Sequence, residues 1–359
     1  MQSVISSAVL ASFVGLVVAV VVFAPFVALA YRRYRRLNVR YVIGWLAFLV
    51  YFMALWTYTL APFPEPGRHR CAPAQLKPFF SFQDALQYPH SSPGELLRNP
   101  VLAQMALNVA LFVPLGLFTR LLWRRGVLTA LAAGLGLSLF IEFTQLTGVW
   151  GIYGCAYRVF DVDDLMTNTS GALLGAVLAM VLPRGWLTPE AQPRGEPAPV
   201  TAGRRFIAMV ADAACLVVVG LAGGVAIQLA DLRTAWTAPA GLAQAVAFGL
   251  PFGVQAVCVL ASGRTLGDIA TVLRFSPARP AWLARRLTRL LGGIGGFQLL
   301  GLAPDPWSAL QFVFALLAVV MALAGRRRRG LPGLLGRQTL EDARAESAIP
   351  TPSGQADTS

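Results

Sequence analysis

Val127-Leu-Thr-Ala-Leu-Ala-Ala-Gly-Leu-Gly-Leu-Ser138-Leu-Phe-Ile-Glu142-Phe-Thr-Gln145-Leu-Thr147 decides the fold class of this chain. The run is long enough to cross about 30 Å of hydrocarbon at roughly 1.5 Å per residue. Its one ionisable side chain is Glu142. Placing such a group at mid-depth costs about 2.5 to 3.5 kcal/mol even on a lenient insertion scale, so the acid marks a helix that looks into protein or water. Ser138, Glu142 and Gln145 recur at spacings of four and three and therefore share one face, which should be turned into a bundle.

Runs of similar character lie at Ala8 to Ala30, Tyr41 to Leu60, Val101 to Phe118, Leu165 to Leu182, Phe206 to Ala230, Gly241 to Ala261 and Ser308 to Ala324. Leu287 to Leu302 adds a Gly-rich ninth, which could equally be re-entrant or interfacial. The expected fold is all-α, a polytopic helical membrane protein of about nine transmembrane helices in two bundles. Composition agrees: 56% of the 359 residues are apolar and 13% charged, against roughly 25% charged in a soluble domain.

Cytoplasmic loops retain Lys and Arg during insertion. With nine spans and the N-terminus outside, the expected cytoplasmic stretches hold 24 of the 30 basic residues, and removing the eighth span would put Arg326 to Arg329 outside. The net charge of +13 is then a consequence of topology and points to no nucleic-acid partner. Ala28-Leu29-Ala30 resembles a signal cleavage site, but no basic residue precedes that run and Arg32, Arg33, Arg35 and Arg36 follow it, as in an uncleaved segment. The expected location is the cell membrane, multi-pass, with the N-terminus outside and the C-terminus cytoplasmic.

Residues 184–203, rich in proline with Glu, Gln and Arg, break the apolar pattern as a cytoplasmic linker between a five-span module at 1–183 and a second at 204–335. Residues 336–359 read as a disordered tail. Cys71 and Cys155 fall in expected outside loops and are candidates for a disulfide, whereas Cys215 and Cys258 lie in spans.

Two further segments bring polar groups to the level of Glu142. Gln104 and Asn108 sit early in a span that starts outside; Arg158, Asp161, Asp163, Asp164 and Asn168 precede or begin another, with Gly171 and Gly175 deeper on the same face. Those glycines should admit a neighbouring helix closely. The candidate ligand-binding residues are Asn108, Glu142, Gln145, Arg158, Asp161, Asp164 and Asn168. The carboxamides could also serve as bonds between helices, and Asp161 as a helix cap.

The ordered set Asn108-x3-Phe112-x-Pro114-x-Gly116, Ser138-x3-Glu142-x2-Gln145, and Arg158-x2-Asp161-x2-Asp164-x3-Asn168-x2-Gly171-x3-Gly175 resembles the VanZ-like family of membrane proteins over roughly residues 40 to 183. That resemblance implies an envelope role, associated in the family's named member with resistance to teicoplanin, and no established reaction. In the second module, Arg205 and Asp212 in one helix and Gly263, Thr265 and Gly267 in a loop are similar to the RDD family, in which some members are linked to cation and proton exchange. Gly333 and Met209 depart from that pattern. The spacing of seven suggests that Arg205 pairs with Asp212 directly or through water.

Three functions compete on these residues. The first is an envelope protein that binds membrane lipids and a lipid-linked precursor or glycopeptide at an outer-leaflet site. A cation/proton transporter acting through Asp212 is the second. The third, an enzyme acting on lipid-linked phosphate with acids holding Mg²⁺, lacks a nucleophile-base pair, and His69 and His90 both lie in the long loop. No Walker loop, dinucleotide fingerprint or zinc spacing is present in the sequence.

Overall fold

A computed structural model of the chain describes residues 2–60, 70–191, 196–233, 237–276, 281–325 and 328–346, with backbone alone at 2–16, 232–233 and 346. Parts of three expected segments lie outside the described residues: the outer loop at 61–69, with His69, the linker at 192–195 and the tail at 347–359. The protein is an all-α, multi-pass membrane protein in which, among the described residues, eight helices are long and apolar enough to span a bilayer. It divides into one unit of residues 1–16 and 38–189 and a second of 17–37 and 190–359, the cut falling inside α1 (Gln2–Tyr34).

The first unit contains α2 (Val39–Leu60), β1 (Ala74–Gln75), α3 (Phe80–Ala85), α4 (Pro93–Arg98), α5 (Pro100–Leu121), α6 (Val127–Leu146), the single left-handed turn α7 (Gly148–Gly151), β2 (Phe160–Asp161) and α8 (Val162–Leu178). The glycines of α8 explain its place beside α5. A Cβ at Gly171 would stand 2.2 Å from the Val109 carbonyl oxygen, and one at Gly175 1.9 Å from that of Val113, so the two backbones touch as only glycine permits. Leu55, Phe112, Leu115, Ile141 and Ala172 form the apolar core between these helices.

At one end of the bundle, a disulfide joins Cys71 to Cys155 with the Cα atoms 5.4 Å apart. Beside it β1 pairs in parallel with β2, Ala74 opposite Phe160 and Gln75 opposite Asp161. At the other end, Leu187 N donates to Leu121 O at 3.2 Å and Thr188 Oγ1 to Leu122 O at 2.7 Å. The linker is therefore shorter than expected. Residues 184–189 belong to the first unit because they satisfy the terminal carbonyls of α5, which no further helical turn can reach.

The second unit contains the later part of α1 with α9 (Ala202–Arg233), α10 (Leu242–Ser262), α11 (Leu266–Ala270), β3 (Leu273–Phe275), α12 (Trp282–Leu291), α13 (Ile294–Leu300), α14 (Leu310–Ala324), α15 (Gly330–Leu335) and β4 (Leu340–Asp342). The later part of α1 packs within this unit. Val27 and Tyr31 of α1 are buried with Ala211 and Ala270, and Arg344 Nη2 donates to Tyr31 O at 2.7 Å.

Part of the expected tail is ordered. Residues 340–342 pair antiparallel with β3, and Asp342, 3% exposed, accepts from Arg204 and from Ala198 N. Such a strand has the backbone partners and buried charge pair that a disordered segment lacks.

The expected ninth span, Leu287 to Leu302, takes another form. It is two short helices, α12 and α13, broken at Gly292-Gly293, and neither is long enough to span alone. Gln311 near the start of α14 donates to Phe297 O at 3.1 Å. Gly292, in turn, lies against Pro332. Broken backbone at this depth is tolerated where it borders protein or a cavity.

Candidate functional site

The polar site of the first unit is built around a recessed helix start. Asn108 is the ninth residue of α5 and Asp164 the third of α8, yet Asn108 Nδ2 donates to Asp164 Oδ1 at 2.6 Å. At roughly 1.5 Å per residue, α8 thus begins about two turns below the top of α5. Its first amides would face hydrocarbon if nothing met them. Asp161 caps the helix by accepting from Asp163 N at 2.8 Å, and Glu142 Oε2 accepts from Asp161 N at 3.0 Å. Carboxylates suit this position because the positive end of the helix dipole lies there.

Glu142 is 2% exposed. One turn deeper, Asn168 Nδ2 donates to Ser138 Oγ at 2.9 Å, while Asn168 Oδ1 has no hydrogen-bond partner among the described residues. Burial pushes the Asp161 carboxyl above the usual range, the Asp163 amide acting in the opposite sense. Asn108, Glu142, Asp161, Asp164 and Asn168 thus converge between α5, α6 and α8.

Gln145 and Arg158 are occupied differently. Gln145 Nε2 and Arg158 Nη1 each donate to Thr59 O at 2.8 Å, and Tyr157 Oη donates to Leu60 O at 3.1 Å. These side chains finish the C-terminus of α2, whose last carbonyls lack helical partners.

Asp163 has a role that its sequence neighbourhood conceals. Almost fully buried, it accepts from Phe79 N at 2.6 Å and Ser81 N at 2.7 Å, fastening the loop that covers the site. Only a contact across the fold could have shown this. Among the described residues, no group of three or more His, Cys, Asp or Glu side chains has a geometry that could hold a metal ion. Asp161 and Asp163 are turned to backbone amides and Asp164 to a carboxamide.

In the second unit, Arg205 pairs with Asp268 at 2.8 Å and not with Asp212, and Arg289 holds the other Asp268 oxygen. The expected Arg205–Asp212 pair is thereby corrected. Asp212 Oδ1 instead accepts from Gly267 N at 2.7 Å and Gln255 Nε2 at 3.0 Å, bracing α9 against α10 and α11. The physical reason is close approach: a Cβ at Gly267 would stand 1.9 Å from Ala208 O, so α11 lies directly on α9 between the two residues.

Thr265 and Asp268 form a capping box at the start of α11, and Gly263 takes the left-handed turn that ends α10. Burial opposes the Asp268 charge, but Arg289 and Arg205 outweigh it and hold the carboxyl at about 2. Asp268, Arg289, Arg204 and Asp342 escaped the sequence reading as a set. Asp268 alone carried a local signal, three residues after Thr265 in a capping pattern.

A multi-pass membrane protein with acids gathered at a recessed helix start, under a disulfide-tied cover, is the class that this geometry defines. Residues 48–183 match the model of the VanZ/LLP1 family, and the N-terminal module is VanZ-like. No curated protein and no solved structure matches the chain.

Proposed function

We propose that this protein acts in the cell envelope as a binder and not as an enzyme. Its first unit takes the polar part of an envelope ligand, a lipid-linked precursor or a glycopeptide, and lowers susceptibility to glycopeptides of the teicoplanin type. The observation that carries this reading is the convergence of Glu142, Asp164 and Asn108 between three helices, with Asn168 Oδ1 left unpartnered beneath them. Acids outnumber bases there, which suits a ligand that presents ammonium or other donor groups.

Orientation fits the proposal. The end that carries the disulfide suits an oxidising exterior, and Arg40 and Arg120 lie at the opposite ends of their helices, with Arg124 and Arg125 in the connection that follows α5, as retained cytoplasmic charge would. With nine crossings, the broken one included, the N-terminus is then outside and the C-terminus cytoplasmic. Glu142→Gln and Asp164→Asn forms, expressed at wild-type level in a glycopeptide-sensitive deletion strain, should lose protection. Full protection by both would overturn the reading.

A second reading, cation–proton exchange through an RDD-like module at 204–335, has one observation in its favour. Asp212 is a 5% exposed acid in a membrane-spanning helix, bonded to Gln255 and an amide and to no arginine among the described residues. Cation-dependent proton flux in vesicles, abolished by Asp212→Asn, is the expected outcome; flux that survives the substitution removes Asp212 from the cycle.

A further inference from the structure

A cavity of about 260 Å³ lies in the second unit between α9, α13 and α14. One end is walled by Arg205 and Arg289, and the rest almost wholly by hydrocarbon from residues such as Met209, Phe297, Phe314 and Ala318. We propose that it holds one acyl chain of an anionic lipid, with the negative headgroup at Arg205 and Arg289.

Three observations independent of the first unit's site carry this. Arg205 and Arg289 are 5% and 3% exposed, and the Nε of each lacks a hydrogen-bond partner among the described residues. Two buried donors without acceptors therefore belong to residues that line the cavity. Both guanidiniums share the single carboxylate of Asp268, so this triad keeps one net positive charge. Asp212, the acid farther along the wall, directs Oδ1 to Gln255 and the Gly267 amide.

Shape agrees with a chain. The arginine end lies beside α11, whose Asp268 both guanidiniums hold. From there the wall runs from Arg205 to Ala213 along α9, about 12 Å at 1.5 Å per residue. The Gly292-Gly293 break forms part of the wall, as irregular backbone in a membrane does when it borders a cavity. The volume lies just below the roughly 300 to 1,000 Å³ of drug-sized sites, too small for a bulky ring system.

Full-length protein in nanodiscs should be irradiated with three probes that carry a diazirine in the acyl chain: phosphatidic acid, a free fatty acid and phosphatidylcholine. At least one anionic probe should label peptides 206–213 or 314–322 five-fold or more above phosphatidylcholine, and whichever does so tells a phosphate from a carboxylate headgroup. Ala318→Trp, which fills the cavity, should cut that labelling at least five-fold; should it not fold, Ala315→Phe provides the same reading. Equal labelling by the three probes, labelling unchanged by the filled cavity, or no labelling would each overturn the proposal.

Discussion

Asp163 accepts a hydrogen bond from the amide of Phe79, 84 positions earlier, at 2.6 Å. With the Ser81 amide on its other oxygen, this side chain joins the start of α8 to the loop that covers the candidate site. Hydrogen bonds to a buried charge contribute about 1.5 to 3 kcal/mol each. Asp163→Ala should therefore free the cover without unfolding the bundle. Amide exchange at Phe79 and Ser81 should accelerate at least ten-fold while exchange within α5 and α8 stays slow.

The glycines of the first unit should divide by what surrounds them. Gly175→Ala puts a methyl group into the Val113 carbonyl, whereas a Cβ at Gly136 meets nothing within 4 Å. The first change should lower the thermal midpoint in detergent by several degrees or prevent folding. Gly136→Ala should be neutral or stabilising by up to about 1 kcal/mol, since alanine is the better helix former.

The Cys71–Cys155 bond closes a loop with a sequence separation of 84. Such a link typically contributes about 2 to 4 kcal/mol. Wild-type protein should run faster on a non-reducing gel than on a reducing one, and Cys71→Ser should abolish the difference. Equal migration of all forms, with both thiols open to labelling, would contradict the bond.

Asp268 sets the acid tolerance of the second unit. Its carboxyl is held at about 2, below the ordinary value of 3.8, so its contribution is fully present above pH 4 and fades only as pH falls toward 2. Between pH 7 and pH 5 this ion pair should leave the unfolding midpoint unchanged. Asp268→Asn should destabilise throughout that window by about 3 to 5 kcal/mol, because two buried guanidiniums lose their counter-charge.

Much of the architecture was legible because a bilayer demands long apolar runs, and α2, α5, α6, α9, α10 and α14 follow from length alone. The face shared by Ser138 and Glu142 was legible for a related reason, since a polar residue in lipid must find a partner. What the sequence concealed was the choice of partner. Arg205 meets Asp268 from another segment in preference to Asp212 on its own helix, and Gln145 turns to the end of α2. Helical spacing reports which residues share a face, not what lies opposite. The end of the chain misled for another reason, because β4 is polar at Glu341 and Asp342 and gains its order only from β3 and Arg204.

That last strand gives the protein a checkpoint in time. Arg204 and β3 leave the ribosome well before Leu340 to Asp342 exist, and until those residues arrive one buried guanidinium lacks its carboxylate and one strand edge stays open. The short strand is thus a seal set late in synthesis, and a chain cut short before Leu340 would carry an exposed flaw for quality-control proteases to find.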